Sequence, residues 1–109
     1  MSDNTSSIIF IYVTCKDASE AESIARAVVE NKLAACANIF PAMKSVYTWE
    51  GHMRSDDEAV LILKTTHDKF KAVEAAVLSL HSYETPCIVA LNVSEVNDAY
   101  RTWLTSSMK

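Results

Sequence analysis

Apolar runs alternate with polar segments along the chain in an order that predicts four strands and three helices. The predicted strands cover 8–14, 33–49, 58–65 and 87–93. The first is rich in β-branched and aromatic residues, which is typical of a buried central strand. Pro41 lacks a backbone donor, so the second strand should bend or lie at an edge there. Gly51, the only glycine, is expected in the turn between strands two and three, where a positive φ is needed.

The helices are predicted from apolar positions that recur at helical spacing. Ser19 and Glu22 have the spacing of a capping box, so the first helix should begin at Ser19 and end near Asn31-Lys32. The second helix should begin at Asp68 and stop around His81-Ser82, and Asn97 or Asp98 can cap a short third helix. The expected apolar faces of the first two helices are Ala21, Ile24, Ala25 and Val28, and Phe70, Val73, Val77 and Leu80.

The resulting order, β-α-β-β-α-β plus a short C-terminal helix, predicts a ferredoxin-like α+β fold with an antiparallel sheet. Right-handed crossovers place both helices on one face of that sheet. The first strand is apolar at almost every position, whereas a sheet with one solvated face should alternate. We therefore expect oligomerisation to cover the second face, with the hairpin around Gly51 as an arm. One domain is predicted over 1–109, with 1–7 disordered.

Composition and charge exclude several classes of function. The formal net charge is −4, and the ten Lys and Arg residues are scattered, so no nucleic-acid partner is expected. No apolar run approaches the ~20 residues that span a bilayer, and the first residues do not resemble a secretory signal. The three cysteines show no CxxC spacing, which favours free thiols in a reducing compartment. The predicted location is therefore cytoplasmic.

Four short blocks carry a resemblance to a known family: KLAAC (32–36), YTWEG (47–51), LKT (63–65) and HSYETP (81–86). With Tyr100 and Trp103-Leu104, they resemble the CutA family of divalent-ion tolerance proteins in order and spacing. The resemblance implies a compact homotrimer joined through its sheets and long hairpin, and a link to tolerance of copper and other divalent metals. Its fold is also similar to that of the trimeric nitrogen-regulatory signalling proteins.

Candidate metal ligands are the thiols and imidazole of Cys36, His81 and Cys87, with copper or another divalent ion as the expected metal. The family loop commonly reads His-Pro-Tyr-Glu-x-Pro-Glu, whereas this chain has Ser82 and Cys87 in place of the first proline and the second acid. A thiol in place of a carboxylate favours softer metals. Structural alternatives stay open, because Cys36 and Cys15 can simply pack in a core and His81 can cap a helix C-terminus.

A second group of residues is expected to line a cleft between subunits. Glu58 and Lys64 are separated by an even number of residues on one strand, so their side chains share a face. Tyr83 and Glu84 lie in the loop before Pro86, where binding groups often occur. Within the hairpin, Tyr47 and Trp49 are expected to pack against a neighbouring subunit.

These features favour a trimeric cytoplasmic protein of metal tolerance that binds metal through thiol and imidazole donors. The alternative is a trimeric signalling or protein-interaction module that binds a small ligand in the inter-subunit cleft. An enzyme with a Cys-His pair is the weakest hypothesis, because the sequence offers neither an oxyanion-hole glycine nor a group to orient the histidine. No enzymatic activity is predicted.

Overall fold

The computed structural model describes residues 7–109 and contains one four-stranded sheet in the order β2-β3-β1-β4, with every pairing antiparallel. The strands are β1 (Ile8–Cys15), β2 (Cys36–Trp49), β3 (His52–Thr66) and β4 (Ile88–Asn92). The helices are α1 (Ala18–Glu30), α2 (Phe70–Leu80) and α3 (Asp98–Ser107), and a 3₁₀ turn, His67–Lys69, leads into α2. This confirms the α+β prediction and the order of its elements. The disorder predicted for 1–7 lies, except for Ser7, outside the described residues.

One face of the sheet packs against α1 and α2 and forms the core. Strand residues Ile9, Ile11, Val13, Leu61 and Leu63 are fully buried there. The helices contribute buried side chains to the same cluster: Ala21, Ile24, Ala25, Val28, Val73 and Val77. Each fully buried Val, Leu or Ile contributes about 1.5–3 kcal/mol, so this layer supplies most of the apolar stabilisation. The predicted stripe on α2 holds only in part, because Leu80, the last helical residue, is half exposed.

The hairpin between β2 and β3 is longer than predicted. The turn is at Glu50 and Gly51, both with positive φ (50° and 79°), as a two-residue hairpin loop requires. This confirms the role of Gly51. The return strand begins at His52 and not at 58, because residues 52–57, which are polar except for Met53, pair with 44–49. The ladder is irregular between Phe40 and Met43, which confirms the bend predicted at Pro41.

The N-terminus of α1 differs from the prediction, whereas its C-terminus agrees with it. Asp17, not Ser19, is the N-cap, and its Oδ1 accepts the Glu20 N–H at 2.8 Å. Asp17 and Glu20 therefore have the spacing of a capping box, but Glu20 Oε1 accepts the N–H of Lys16, the residue before the N-cap, at 3.1 Å. The predicted end near Asn31 is confirmed, since Asn31 is the C-cap and Lys32 adopts a left-handed φ of 59°.

The opposite face of the sheet, called here the open face, is apolar and poorly covered. Partners in the ladder share a face, so Phe10, Tyr12, Phe40, Val60, Ile62, Val89 and Leu91 all point to this side. Phe40 is 56% exposed and Leu91 50%. At one corner α3 approaches, where Lys64 Nζ lies 5.3 Å from the Phe10 ring centroid and 5.6 Å from that of Tyr100.

The distal half of the hairpin, residues 44–57, extends beyond the core and is called here the hairpin arm. It contributes to an elongated shape with principal extents of 47 × 28 × 22 Å. Its apolar side chains Val46, Trp49 and Met53 are exposed, Met53 by 78%. Within residues 7–109, no helix is both long and apolar enough to cross a membrane.

Replacing Asp17 with Ala should lower the free energy of unfolding by about 1 kcal/mol, because the first turn of α1 loses its side-chain acceptor. Ser19→Ala is the matched control, since Ser19 is exposed inside the helix and should change stability by less than about 0.5 kcal/mol. Urea denaturation of both variants checks the assignment. Equal losses, or a larger loss in Ser19→Ala, would contradict it.

Candidate metal centre

Three potential metal ligands from distant parts of the chain converge at one end of the core. Cys15 is the last residue of β1, Glu20 lies in the first turn of α1, and His81 directly follows α2. One ligand atom of each lies within 4.8 Å of the others. Cys15, Glu20 and His81, called here the three-donor cluster, form the one group of this kind that is found within residues 7–109.

The His81 imidazole is fully buried and bonded on both nitrogens. Nε2 lies 2.7 Å from the Thr14 carbonyl oxygen, and Nδ1 lies 3.0 Å from the Tyr83 backbone nitrogen. A carbonyl can only accept and a backbone N–H can only donate, so these partners assign the neutral tautomer with its proton on Nε2. Nδ1 also lies 3.8 Å from Glu20 Oε1.

Glu20 is nearly buried yet held in its charged form. Its two oxygens accept the backbone N–H groups of Lys16 at 3.1 Å and Ser82 at 3.0 Å. Burial alone would raise the pKa of this carboxyl, but the hydrogen bonds from Ser82 and Lys16 outweigh burial and lower it. The cluster therefore carries a negative charge at neutral pH.

The Cys15 thiol is fully buried in the same cluster. Burial, followed by the negative charges of Glu20 and Glu58, raises the pKa of this thiol from 9.0 to about 12. Cys15 is therefore a neutral thiol at physiological pH. It can serve as a thiolate ligand only if a cation displaces its proton.

On the other side of the sheet, Glu58 forms a second polar group. It accepts hydrogen bonds from Ser45 Oγ at 2.6 Å and from the Tyr83 hydroxyl at 2.8 Å. Burial and the bond to Glu58 raise the pKa of Tyr83, and burial and the Glu58 charge raise that of Cys87. Since Tyr83 also contacts His81 through its backbone, the loop 82–87 connects the three-donor cluster with the open face.

The structure does not bring Cys36, His81 and Cys87 together within one chain. Cys36 pairs with Lys64, which in turn pairs with Phe10, whereas His81 contacts Thr14. Phe10 and Thr14 are four residues apart on β1, so Cys36 lies about 13 Å along the sheet from the His81 contact. Cys87 precedes Ile88, whose partner is Val13, and is at the His81 end. It is not part of the three-donor cluster.

The other predicted site residues are distributed over the open face, the loop and the hairpin arm. Lys64 is on the same face as Glu58 but at the corner near α3, while Glu84 is exposed in the loop. On the arm, the Tyr47 hydroxyl bonds Asp56 of the same chain, and Trp49 is exposed. Binding to a cleft or to a neighbouring subunit stays a prediction for these residues.

Sequence reasoning missed Glu20 as a member of the site and favoured core packing for Cys15. The available signal was the capping pair Asp17-x-x-Glu20, which places Glu20 in the first turn of a helix directly after the strand that Cys15 ends. With the cap predicted at Ser19, the proximity of Glu20 to Cys15 does not follow from the sequence. The proximity of His81 could not be read from spacing, because it depends on how α2 packs beside α1.

Comparison with known proteins identifies the family. The family model described as CutA1 divalent ion tolerance protein matches residues 9–107. A divalent-cation tolerance protein CutA of Archaeoglobus fulgidus is 41% identical over 100 residues, which cover 92% of this chain and 97% of that protein. Protein CutA, chloroplastic, of Arabidopsis thaliana is 37% identical, and the alignment covers 99% of this chain but only 59% of that protein.

Solved structures agree with this result. The crystal structure of CutA1 from Oryza sativa matches with a TM-score of 0.92 and 36% sequence identity, covering 98% of both chains. The family match extends from β1 to α3 and includes all three members of the three-donor cluster. The chain therefore belongs to the CutA1 divalent ion tolerance protein family.

Proposed function

We propose that this protein acts in divalent-cation tolerance as a homotrimer whose subunits each bind one cation at the three-donor cluster. The observation that carries the proposal is the convergence of a thiol, a carboxylate and an imidazole within 4.8 Å, in a protein of a divalent ion tolerance family. The site assigned here replaces Cys36 and Cys87 by Cys15 and Glu20. His81 is kept from the sequence-based set.

The donor set suits a borderline cation. One sulfur, one nitrogen and one oxygen donor match Cu²⁺ or Zn²⁺ better than Mg²⁺ or Ca²⁺, which prefer oxygen ligands. Affinities at such a site generally rise towards Cu²⁺, in keeping with the copper predicted from sequence. The charge of Glu20 supplies long-range attraction, and the cation would add the positive charge that stabilises a Cys15 thiolate.

The homotrimer is supported by two exposed apolar surfaces. The open face leaves Phe40 on the edge strand β2, and Val89 and Leu91 on the edge strand β4, about half exposed. The hairpin arm is a two-stranded ribbon, which is marginally stable in water unless it packs against something else. A second and third copy of the chain would cover both surfaces at once.

The three cysteines are free in the monomer, which supports a reducing location such as the cytoplasm. We also propose that the protein is not an enzyme, because the buried, protonated Cys15 lacks the low pKa of a nucleophilic thiol. Binding of a small ligand in an inter-subunit cleft is less favoured as the primary function. Glu58 and Tyr83, two of its expected ligand-binding residues, already satisfy each other.

The binding site is tested by titrating reduced, metal-free protein with Zn²⁺, which has no redox chemistry with thiols. We expect about one Zn²⁺ per chain and at least tenfold weaker binding, about 1.4 kcal/mol, in Cys15→Ala, Glu20→Gln and His81→Ala. Cys36→Ala is the matched control and should bind like the wild type. Thermal unfolding of each variant separates lost ligands from lost folding. Weakening in Cys36→Ala alone would contradict the assignment.

The pH dependence of binding tests the role of Cys15. Its pKa near 12 means that each bound cation must release one proton from the thiol, so affinity should rise with pH. Between about pH 7.5 and pH 8.5, above the usual titration of imidazole, the dissociation constant for Zn²⁺ should fall about tenfold. In Cys15→Ala this slope should disappear. A flat profile in the wild type would exclude the thiolate as a ligand.

The oligomer is tested by placing a charge on each exposed apolar surface. Leu91→Asp on the open face and Trp49→Asp on the arm should dissociate the trimer, because each would bury an unpaired carboxylate in the interface. Leu78→Asp is the control, since Leu78 is also 52% exposed but lies on α2. Sedimentation measures the molecular mass. A wild-type monomer, or trimers in both test variants, would contradict the proposed interface.

A further inference from the structure

The atom that His81 offers to a cation is already in use. Its Nε2 proton is donated to the Thr14 carbonyl, so the single lone pair of the neutral ring is on Nδ1. That lone pair accepts the Tyr83 backbone N–H at 3.0 Å. One lone pair cannot bind a cation and a proton donor at the same time, so ligation through Nδ1 requires that the Tyr83 N–H move away.

Glu20 does not impose the same restriction. Each carboxylate oxygen has two lone pairs, and each accepts one backbone N–H, from Lys16 or from Ser82. A cation can therefore share Glu20 while the Ser82 N–H stays bound. The neighbouring amides of Ser82 and Tyr83 should thus respond differently to the same cation.

We propose that cation binding at the three-donor cluster releases the Tyr83 backbone and thereby signals occupancy to the open face of the sheet. Tyr83 is the physical link, since its backbone contacts His81 on the helix side and its hydroxyl donates to Glu58 at 2.8 Å. Displacing its backbone withdraws the hydroxyl from Glu58. Glu58 then loses the hydrogen bond from Tyr83 and keeps the one from Ser45. It lies on the surface assigned above to the subunit interface.

The proposal rests on the proposed function and adds that cation binding and the Tyr83–Glu58 hydrogen bond weaken each other. The metal-free protein has the loop 82–87 anchored at both faces, and the cation competes with that anchor. Because coupling between two sites is reciprocal, weakening the anchor at Glu58 must strengthen cation binding. This reciprocity makes the inference testable without any knowledge of a downstream partner.

The first test follows backbone amide exchange by NMR on the ¹⁵N-labelled wild type, with and without saturating Zn²⁺. The Tyr83 amide should lose at least tenfold in protection on binding, whereas the Ser82 amide should stay within about twofold. Unchanged protection of Tyr83 in a saturated sample overturns the inference and leaves the binding site itself intact. No Zn²⁺ binding in the wild type overturns the proposed function and this inference together.

The second test compares two tyrosine variants by Zn²⁺ titration. Tyr83→Phe keeps the backbone N–H but removes the bond to Glu58, so the anchored state is weakened and Zn²⁺ should bind about tenfold more tightly. Tyr47→Phe is the matched control, because it removes a tyrosine–carboxylate bond to Asp56 on the hairpin arm. It should leave affinity unchanged. Equal affinities of Tyr83→Phe and the wild type would overturn the link through Glu58.

Discussion

A single sheet with two apolar faces is the constraint on which the rest of this structure depends. The chain supplies α1 and α2 for one face, and their side chains bury the inward-facing residues of β1 and of the second half of β3. On the other face Phe40 and Leu91 remain about half exposed, and the hairpin arm extends away from the core. Burying such surface is worth about 25 cal/mol per Å², which supports the association with further copies proposed above. The apolar central strand and the long hairpin are therefore both explained by the proposed association.

The same constraint determines where chemistry is possible. Cys15, Glu20 and His81 all occur where a strand or helix begins or ends, at the edge of the packed core. There, backbone donors and acceptors without a partner in a strand or helix must find one nearby, and side chains supply it. Glu20 accepts the N–H groups of Lys16 and Ser82, and His81 satisfies the Thr14 carbonyl. The proposed cation-binding cluster is thus also part of the scaffold.

The sequence predicts local features better than it predicts the site. Gly51 and Pro41 were placed correctly because a positive φ and a missing donor act within a few residues. The faces of α1 followed from spacing alone. By contrast, the metal set Cys36, His81 and Cys87 was chosen by residue type, and strand order then placed Cys36 far from His81. Only the packing of α2 beside α1 brings His81 to Cys15 and Glu20, and no pattern within one segment encodes that contact.

His81 can stabilise the metal-free fold and also serve as the proposed metal ligand. A buried imidazole with both nitrogens bonded stabilises the metal-free fold, because it leaves no polar atom unsatisfied. In the proposed metal-bound state, a cation at Nδ1 would replace the hydrogen bond from the Tyr83 N–H with a ligand bond, so His81 would keep a partner while the Tyr83 backbone is freed. In the proposed coupling, the cost of freeing the Tyr83 backbone would lower the affinity for the cation, and binding would change the hydrogen bonding of Glu58 on the other side of the sheet. A rigid, preformed cluster would bind more tightly but would have nothing to transmit.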